Sequence, residues 1–215
     1  MHVQRERDRD LPEDLALPLA SGEQWWYWLG GRPALDFVNT LRERWRRRVE
    51  CLVTPSDLAH WLVAAGLADH ELDVAPAVLV EAHKLREAID AAVQSVLDGG
   101  PVPPAALARI DDWLVHAGAR PALALGKDGM PVLAERAAGD SARRALGTLA
   151  LDAAALLGTP EQRARLRVCA SETCSARFYD RSPAGRRRWC SMTTCGNEAK
   201  ARRHRARRRE EPAAA

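Results

Sequence analysis

The feature that most restricts this 215-residue chain is a spacing of thiols near its C-terminus. Cys169 and Cys174 are separated by four residues, Cys190 and Cys195 by four more, and fifteen residues lie between the pairs. Each pair supplies two sulfurs from one tight turn, and the intervening loop is long enough for a short hairpin, as tetrahedral coordination by four thiolates requires. Four thiolates fill the shell of a zinc ion and leave no position for an activated water, so the ion expected here is structural. The alternative is a disulfide framework, which needs an oxidising compartment. The opening Met-His-Val-Gln-Arg-Glu-Arg-Asp-Arg-Asp has no apolar segment of the signal-peptide kind, and no later stretch approaches the length of a membrane span. The expectation is a reduced, cytoplasmic protein with one structural Zn2+ at Cys169, Cys174, Cys190 and Cys195, and no membrane association.

Charge separates along the chain. The net formal charge is only +3, yet residues 161–215 carry 15 Lys or Arg against 6 Asp or Glu, while residues 1–160 carry 17 against 23. With 29 arginines and 3 lysines overall, density rather than presence is the signal. The density peaks after Cys195, at Lys200, Arg202, Arg203, Arg205, Arg207, Arg208 and Arg209, where Ala199, Ala201 and Ala206 favour a helix. A second cluster, Arg186, Arg187 and Arg188, precedes Trp189 and Cys190. A metal fixing both clusters gives a shaped positive surface for a polyanion, whereas a solvated charged tail is the plainer alternative. His204 lies within the run as a possible base-edge or phosphate donor.

The run Trp189-Cys190-Ser191-Met192, then Cys195-Gly196-Asn197, followed by Ala199-Lys200-Ala201-Arg202-Arg203-His204-Arg205-Ala206-Arg207, resembles the CGNR zinc-finger family. In that family such a module ends proteins described as candidate stress-induced transcription regulators. Gly30-Gly31-Arg32-Pro33-Ala34-Leu35-Asp36-Phe37-Val38-Asn39-Thr40 resembles the opening of the family's N-terminal domain, ABATE. The name-giving arginine after Gly-Asn is Glu198 here. The resemblance implies a zinc module that binds nucleic acid, and an N-terminal domain that senses or dimerises.

In chain order, residues 1–20 read as a flexible lead-in with Pro12 and Pro18. Trp25-Trp26-Tyr27-Trp28-Leu29 favours a strand closed by a turn at Gly30-Gly31. Val38, Leu41, Trp45 and Val49 fall at helical spacing. Around them Asp36, Asn39 and Arg42 have two readings: local satisfaction of backbone donors, or the wall of a pocket for a polar effector. Thr54-Pro55-Ser56-Asp57 opens a helix ending at Gly66. Residues 77–97 and those around Leu107, Ile110 and Leu114 continue the helices, and Gly126-Lys127-Asp128-Gly129 marks a hairpin with Pro131 at an edge. Helical spacing resumes at Ala142 and stops around Gly158-Thr159-Pro160, the expected domain boundary. In the module, Ala176–Asp180 and Arg187–Trp189 are expected to pair as two short strands, with Phe178, Tyr179 and Trp189 as its small core.

The expected fold class is therefore mainly α with small β-hairpins: a helical domain over 21–160 and a treble-clef-like four-cysteine zinc module over 161–209, followed by a tail at 210–215. The leading expectation is a DNA-binding regulator, not an enzyme, since no Ser-His-Asp order, HExxH, phosphate loop or Gly-x-Gly-x-x-Gly fingerprint occurs. Its expected partners are duplex DNA, a small-molecule effector and a second copy of the chain. Arg186, Arg187, Arg188, Lys200, Arg202, Arg203, His204, Arg205 and Arg207 are the candidate nucleic-acid contacts. RNA or ribosome binding, and a protein-interaction zinc module, are the alternatives.

Overall fold

The computed structural model describes residues 11–20, 22–70, 72–137 and 140–210, with backbone only at 120, 136, 137, 206, 209 and 210. The remainder of the expected lead-in and tail lies outside the described residues. Two compact units result: residues 23–51 with 165–210 and the lead-in up to Leu19, and residues 52–164.

The first unit begins irregularly. Trp25–Leu29 form no strand, contrary to the β-propensity of their aromatics; Trp26 and Tyr27 are buried instead as packing groups. Residues 11–19 are anchored rather than loose, with Leu11 and Leu19 buried and Arg47 donating to Pro12 O at 2.6 Å. Helix α1 spans only Pro33–Val38, where Pro33 presets the first-turn dihedral. The helix expected across Val38 to Val49 is absent. Leu41–Arg42 (β1) pairs antiparallel with Val49–Glu50 (β2), and the connection between them puts Glu43 and Arg48 at φ 47° and 52°. Two left-handed residues cannot continue a helix, and they are held by Arg47, whose guanidinium grips the Glu43 carboxylate.

The second unit follows the periodicity closely. Helix α2 (Pro55–Ala64) starts at a complete capping box: Thr54 Oγ1 accepts from Asp57 N, and the Asp57 carboxylate accepts from Thr54 N at 2.7 Å. Helices α3 (Pro76–Leu97) and α4 (Pro104–Leu114) follow, then the hairpin of β3 (Ala119–Leu125) and β4 (Pro131–Ala137), with Leu125 opposite Pro131. Helix α5 (Ser141–Gly158) begins at an Asp140 cap, and a four-residue turn, α6 (Pro160–Arg163), follows it. Leu58, Trp61, Leu62, Leu85, Ile89, Leu146, Leu149 and Leu156 are wholly buried among α2, α3 and α5. Each such burial is worth about 1.5–3 kcal/mol, and truncating Leu85 or Leu146 to Ala costs about 2–5 kcal/mol. Where α5 crosses the end of α4, a Cβ on Gly147 would stand 2.5 Å from the His116 carbonyl carbon, so this approach admits only glycine. Among the described residues no helix is long and apolar enough to cross a membrane.

Back in the first unit, Leu166–Val168 (β5) pairs antiparallel with Arg177–Tyr179 (β6). The expected partner of β6, residues 187–189, is not a strand. Leu166 is a better partner because it is itself buried, whereas Arg186 and Arg188 require solvent. A π-turn over Met192–Gly196 then leads without interruption into α7 (Asn197–Glu210).

Candidate metal centre and basic helix

The first cysteine turn hangs from the β5–β6 pair. Cys169 N donates to Ala176 O at 2.9 Å, Cys174 N donates to Ser171 O at 3.2 Å, and Ala176 N points at Cys174 Sγ at 3.5 Å. The second turn is closed by Gly196 N donating to Ser191 O at 3.0 Å, with Ser191 Oγ accepting from Thr194 N. Ala170 N donates to Arg188 O at 2.8 Å, which ties the two turns together.

The four sulfurs meet in one place. All lie within 4.8 Å of one another, Cys174 to Cys190 at 3.8 Å and Cys190 to Cys195 at 3.7 Å. Tetrahedral zinc with bonds of about 2.3 Å separates its sulfurs by roughly 3.8 Å, and a disulfide needs about 2.05 Å. All four residues are at most 4 % exposed and none is bridged. Hydrogen bonds from Cys174, then Cys190 and Cys195, pull the Cys169 thiol far below its ordinary range. Donating to that thiolate pushes Cys174 and Cys190 far above it. A divalent cation supplies the positive charge that lets clustered thiolates ionise together. The cluster fits zinc in spacing, burial and donor type, and the filled shell makes the ion structural.

What surrounds the cluster came from the far end of the chain. Asn39 is 3 % exposed; its Nδ2 donates to Arg177 O and its Oδ1 accepts from Arg177 N, both at 2.9 Å. Asp36 Oδ1 accepts from Gly30 N at 2.7 Å, and Gly30 O in turn accepts from Tyr179 N at 2.7 Å. A Cβ on Gly30 would lie 2.7 Å from Asp36 N, so the bend needs a glycine. Arg42 stacks its guanidinium 3.6 Å from the Tyr27 ring centroid, and Arg44 N donates to Ser175 Oγ at 2.9 Å. Asp36, Asn39 and Arg42 thus engage backbone and ring partners inside this unit. The void that Asn39 and Arg42 line measures about 10 Å³, the room of one water. The sequence had no signal for these contacts.

A family profile for ABATE, described as "Putative stress-induced transcription regulator", matches residues 31–160. The chain belongs to the ABATE family. A second profile, the CGNR zinc finger, matches residues 165–208. No curated protein is a significant match to the chain. The four cysteines are the ligands of one structural zinc in the CGNR finger. In space, the opening of the ABATE match, 31–51, belongs to the same compact unit as that finger.

The aromatic core of the finger matches expectation at Phe178 and Trp189 but not at Tyr179, which is half-buried outside the cluster. Phe178 is wholly buried, Trp189 packs against the cysteine cluster, and Tyr179 lies beneath the Arg32 guanidinium. The arginine clusters divide by role. Arg187 is half-buried, its N donating to Asp180 Oδ2 at 2.8 Å and its Nη2 to Cys190 O at 2.6 Å, with the guanidinium over the Phe178 ring. Arg186 and Arg188 on either side are exposed. On α7, Arg202 turns back onto the first cysteine turn, within 3.3 Å of both Glu172 Oε2 and Ser171 Oγ, and lies 3.5 Å from Glu198. Lys200, Arg203, His204, Arg205, Arg207 and Arg208 are exposed. At 3.6 residues per turn, Lys200, Arg203, His204, Arg207 and Arg208 form one stripe, with Arg202, Arg205 and Glu198 on the other side.

Proposed function

We propose that this chain is a cytoplasmic DNA-binding transcription regulator, a binding protein and not a catalyst. Its CGNR finger lays the outer stripe of α7 against duplex DNA, and its helical unit senses an effector or pairs two copies. The observation that carries the reading is the junction at Cys195: the last metal ligand sits in the turn that becomes α7, so the metal sets the direction of the basic helix. Fourteen residues make a rod of about 21 Å, and such a rod fits a major groove about 12 Å wide. Neutralised phosphates supply most of the affinity, through Lys200, Arg203, Arg207 and Arg208, with Arg186 and Arg188 flanking. Arg203 and Arg207 are the candidates for bidentate guanine contacts, and His204 for a base edge.

The test is the triple variant Arg203→Ala, Arg207→Ala, Arg208→Ala, titrated with duplex DNA over a range of salt. Zinc content and helicity stay at wild-type levels, while the salt slope of log K falls by about 2 to 3. Unchanged DNA affinity in that variant sinks the proposal. Preference for structured RNA over duplex in competition replaces it with RNA binding by the same charges.

A further inference from the structure

The helical unit contains a cleft of about 710 Å³ between the end of α3, the outer side of α4 and the end of α5. Its walls are Val96, Leu107, Ile110, Leu114 and Leu157. The volume falls within the roughly 300–1,000 Å³ typical of small-molecule sites, which combine apolar walls with a few placed polar groups. It far exceeds the 10 Å³ void beside Asn39 and Arg42. Leu107 is 49 % exposed on this wall, a cost in water that an apolar ligand removes.

The polar groups set the ligand's chemistry. Arg163 lines the cleft and spends one guanidinium nitrogen, Nη1, on Leu157 O at 2.5 Å, at the end of α5. Among the described residues this is the one hydrogen bond of its side chain, the backbone N donating to Thr159 O, so Nε and Nη2 remain as a fork for a planar anion. Asp111, exposed on α4, also lines the cleft and excludes a second anionic group from that side.

We propose that this cleft binds a small amphiphilic carboxylate, its hydrocarbon part among the leucines and its head group on Arg163. Calling the ligand an effector rests on the regulator reading; the site itself does not. The experiment is calorimetric titration of the full-length, zinc-loaded protein with decanoate below its micellar concentration, and with decanol as the uncharged counterpart. Decanoate saturates a single site and binds roughly tenfold more tightly than decanol. Arg163→Gln abolishes that preference and leaves decanol binding unchanged. Leu107→Asp, at a half-exposed position that tolerates charge, weakens decanoate at least tenfold, and Ala154→Trp fills the cleft and blocks both ligands.

Absence of saturable decanoate binding to the wild type overturns the proposal, as does an Arg163→Gln variant with wild-type helicity and an unchanged decanoate preference. DNA retention is measured on the same samples. Lost DNA binding with intact decanoate binding defeats only the regulator reading, and the converse defeats only this site.

Discussion

Asn39 completes the edge of β6 by pairing with both backbone groups of Arg177, N and O, at 2.9 Å each across 138 residues of sequence. A carboxamide carries one donor and one acceptor at the right separation to mimic a peptide group, so a single side chain takes the place of a ladder position. The motif that resembles an ABATE opening is thereby part of the frame that presents the first cysteine turn.

Asn39→Ala leaves a buried N–H and a buried C=O without partners, at about 1–3 kcal/mol each. The variant should lose about 2–6 kcal/mol from the unit that contains the finger and surrender zinc faster to a chromophoric chelator. Asn39→Asp, which keeps only the acceptor, should do no better. A wild-type rate of zinc transfer in Asn39→Ala would contradict the framing role.

Zinc removal should loosen more than the C-terminal module. Residues 23–51 share their unit with 165–210, and metal binding contributes on the order of 10 kcal/mol to such modules. Hydrogen exchange after chelation is expected to show lost protection in both segments, while α2, α3 and α5 keep theirs through their own leucine core. Retained protection at 33–51 in the metal-free protein would show that this segment does not depend on the ion.

Two buried carboxylates make the first unit sensitive to acid. Hydrogen bonds from Arg47, with burial opposing them, hold Glu43 below its ordinary value. Burial alone would raise Asp180, but the backbone donors of Arg187 and Ser182 outweigh it and the net shift is downward. A depressed carboxylate stabilises the fold above its unfolded pKa, about 4, and the stabilisation disappears as pH falls through the folded value. Glu43→Gln and Asp180→Asn should therefore unfold at lower temperature than wild type at pH 7, with the difference closing as pH drops below the ordinary carboxylate range. Thermal midpoints between pH 7 and 3 check this; a gap that widens in acid reverses the sign and rejects it.

Glu198 occupies the position of the family's name-giving arginine and lies 3.5 Å from Arg202 on the inner side of α7. Glu198→Arg removes an anion from the basic helix and adds a cation at its first turn. Because this position lies opposite the stripe laid on DNA, the change should leave the salt slope of duplex binding near its wild-type value. A slope steeper by about 1 in filter retention would put this side of α7, not the outer stripe, against the phosphates.

Much of the chain was legible because its determinants are local. Four thiols in two tight turns can reach one ion whatever lies elsewhere, and Thr54 and Asp57 satisfy donors only three residues away. Leucine spacing in α3 and α5 marks their buried sides directly. The stretch from Trp25 to Glu50 was different. Val38, Leu41, Trp45 and Val49 have helical spacing, yet α1 ends at Val38, because the Glu43–Arg47 pair and two left-handed residues stabilise a turn that propensity does not favour. The same holds for β6, whose partner is Leu166–Val168 rather than the arginine-rich segment after the loop.

The sequence by itself determined the metal, its four ligands, the helical character of residues 52–164 and the positive charge on α7. Tertiary structure alone decided that Asp36 and Asn39 brace the finger while Arg42 packs on Tyr27, that Arg202 turns inward, and that the large cleft lies against Arg163. Periodicity and spacing record only forces between near neighbours along the chain. A hydrogen bond between residues 39 and 177 leaves no such record until the backbone brings the two groups to 2.9 Å.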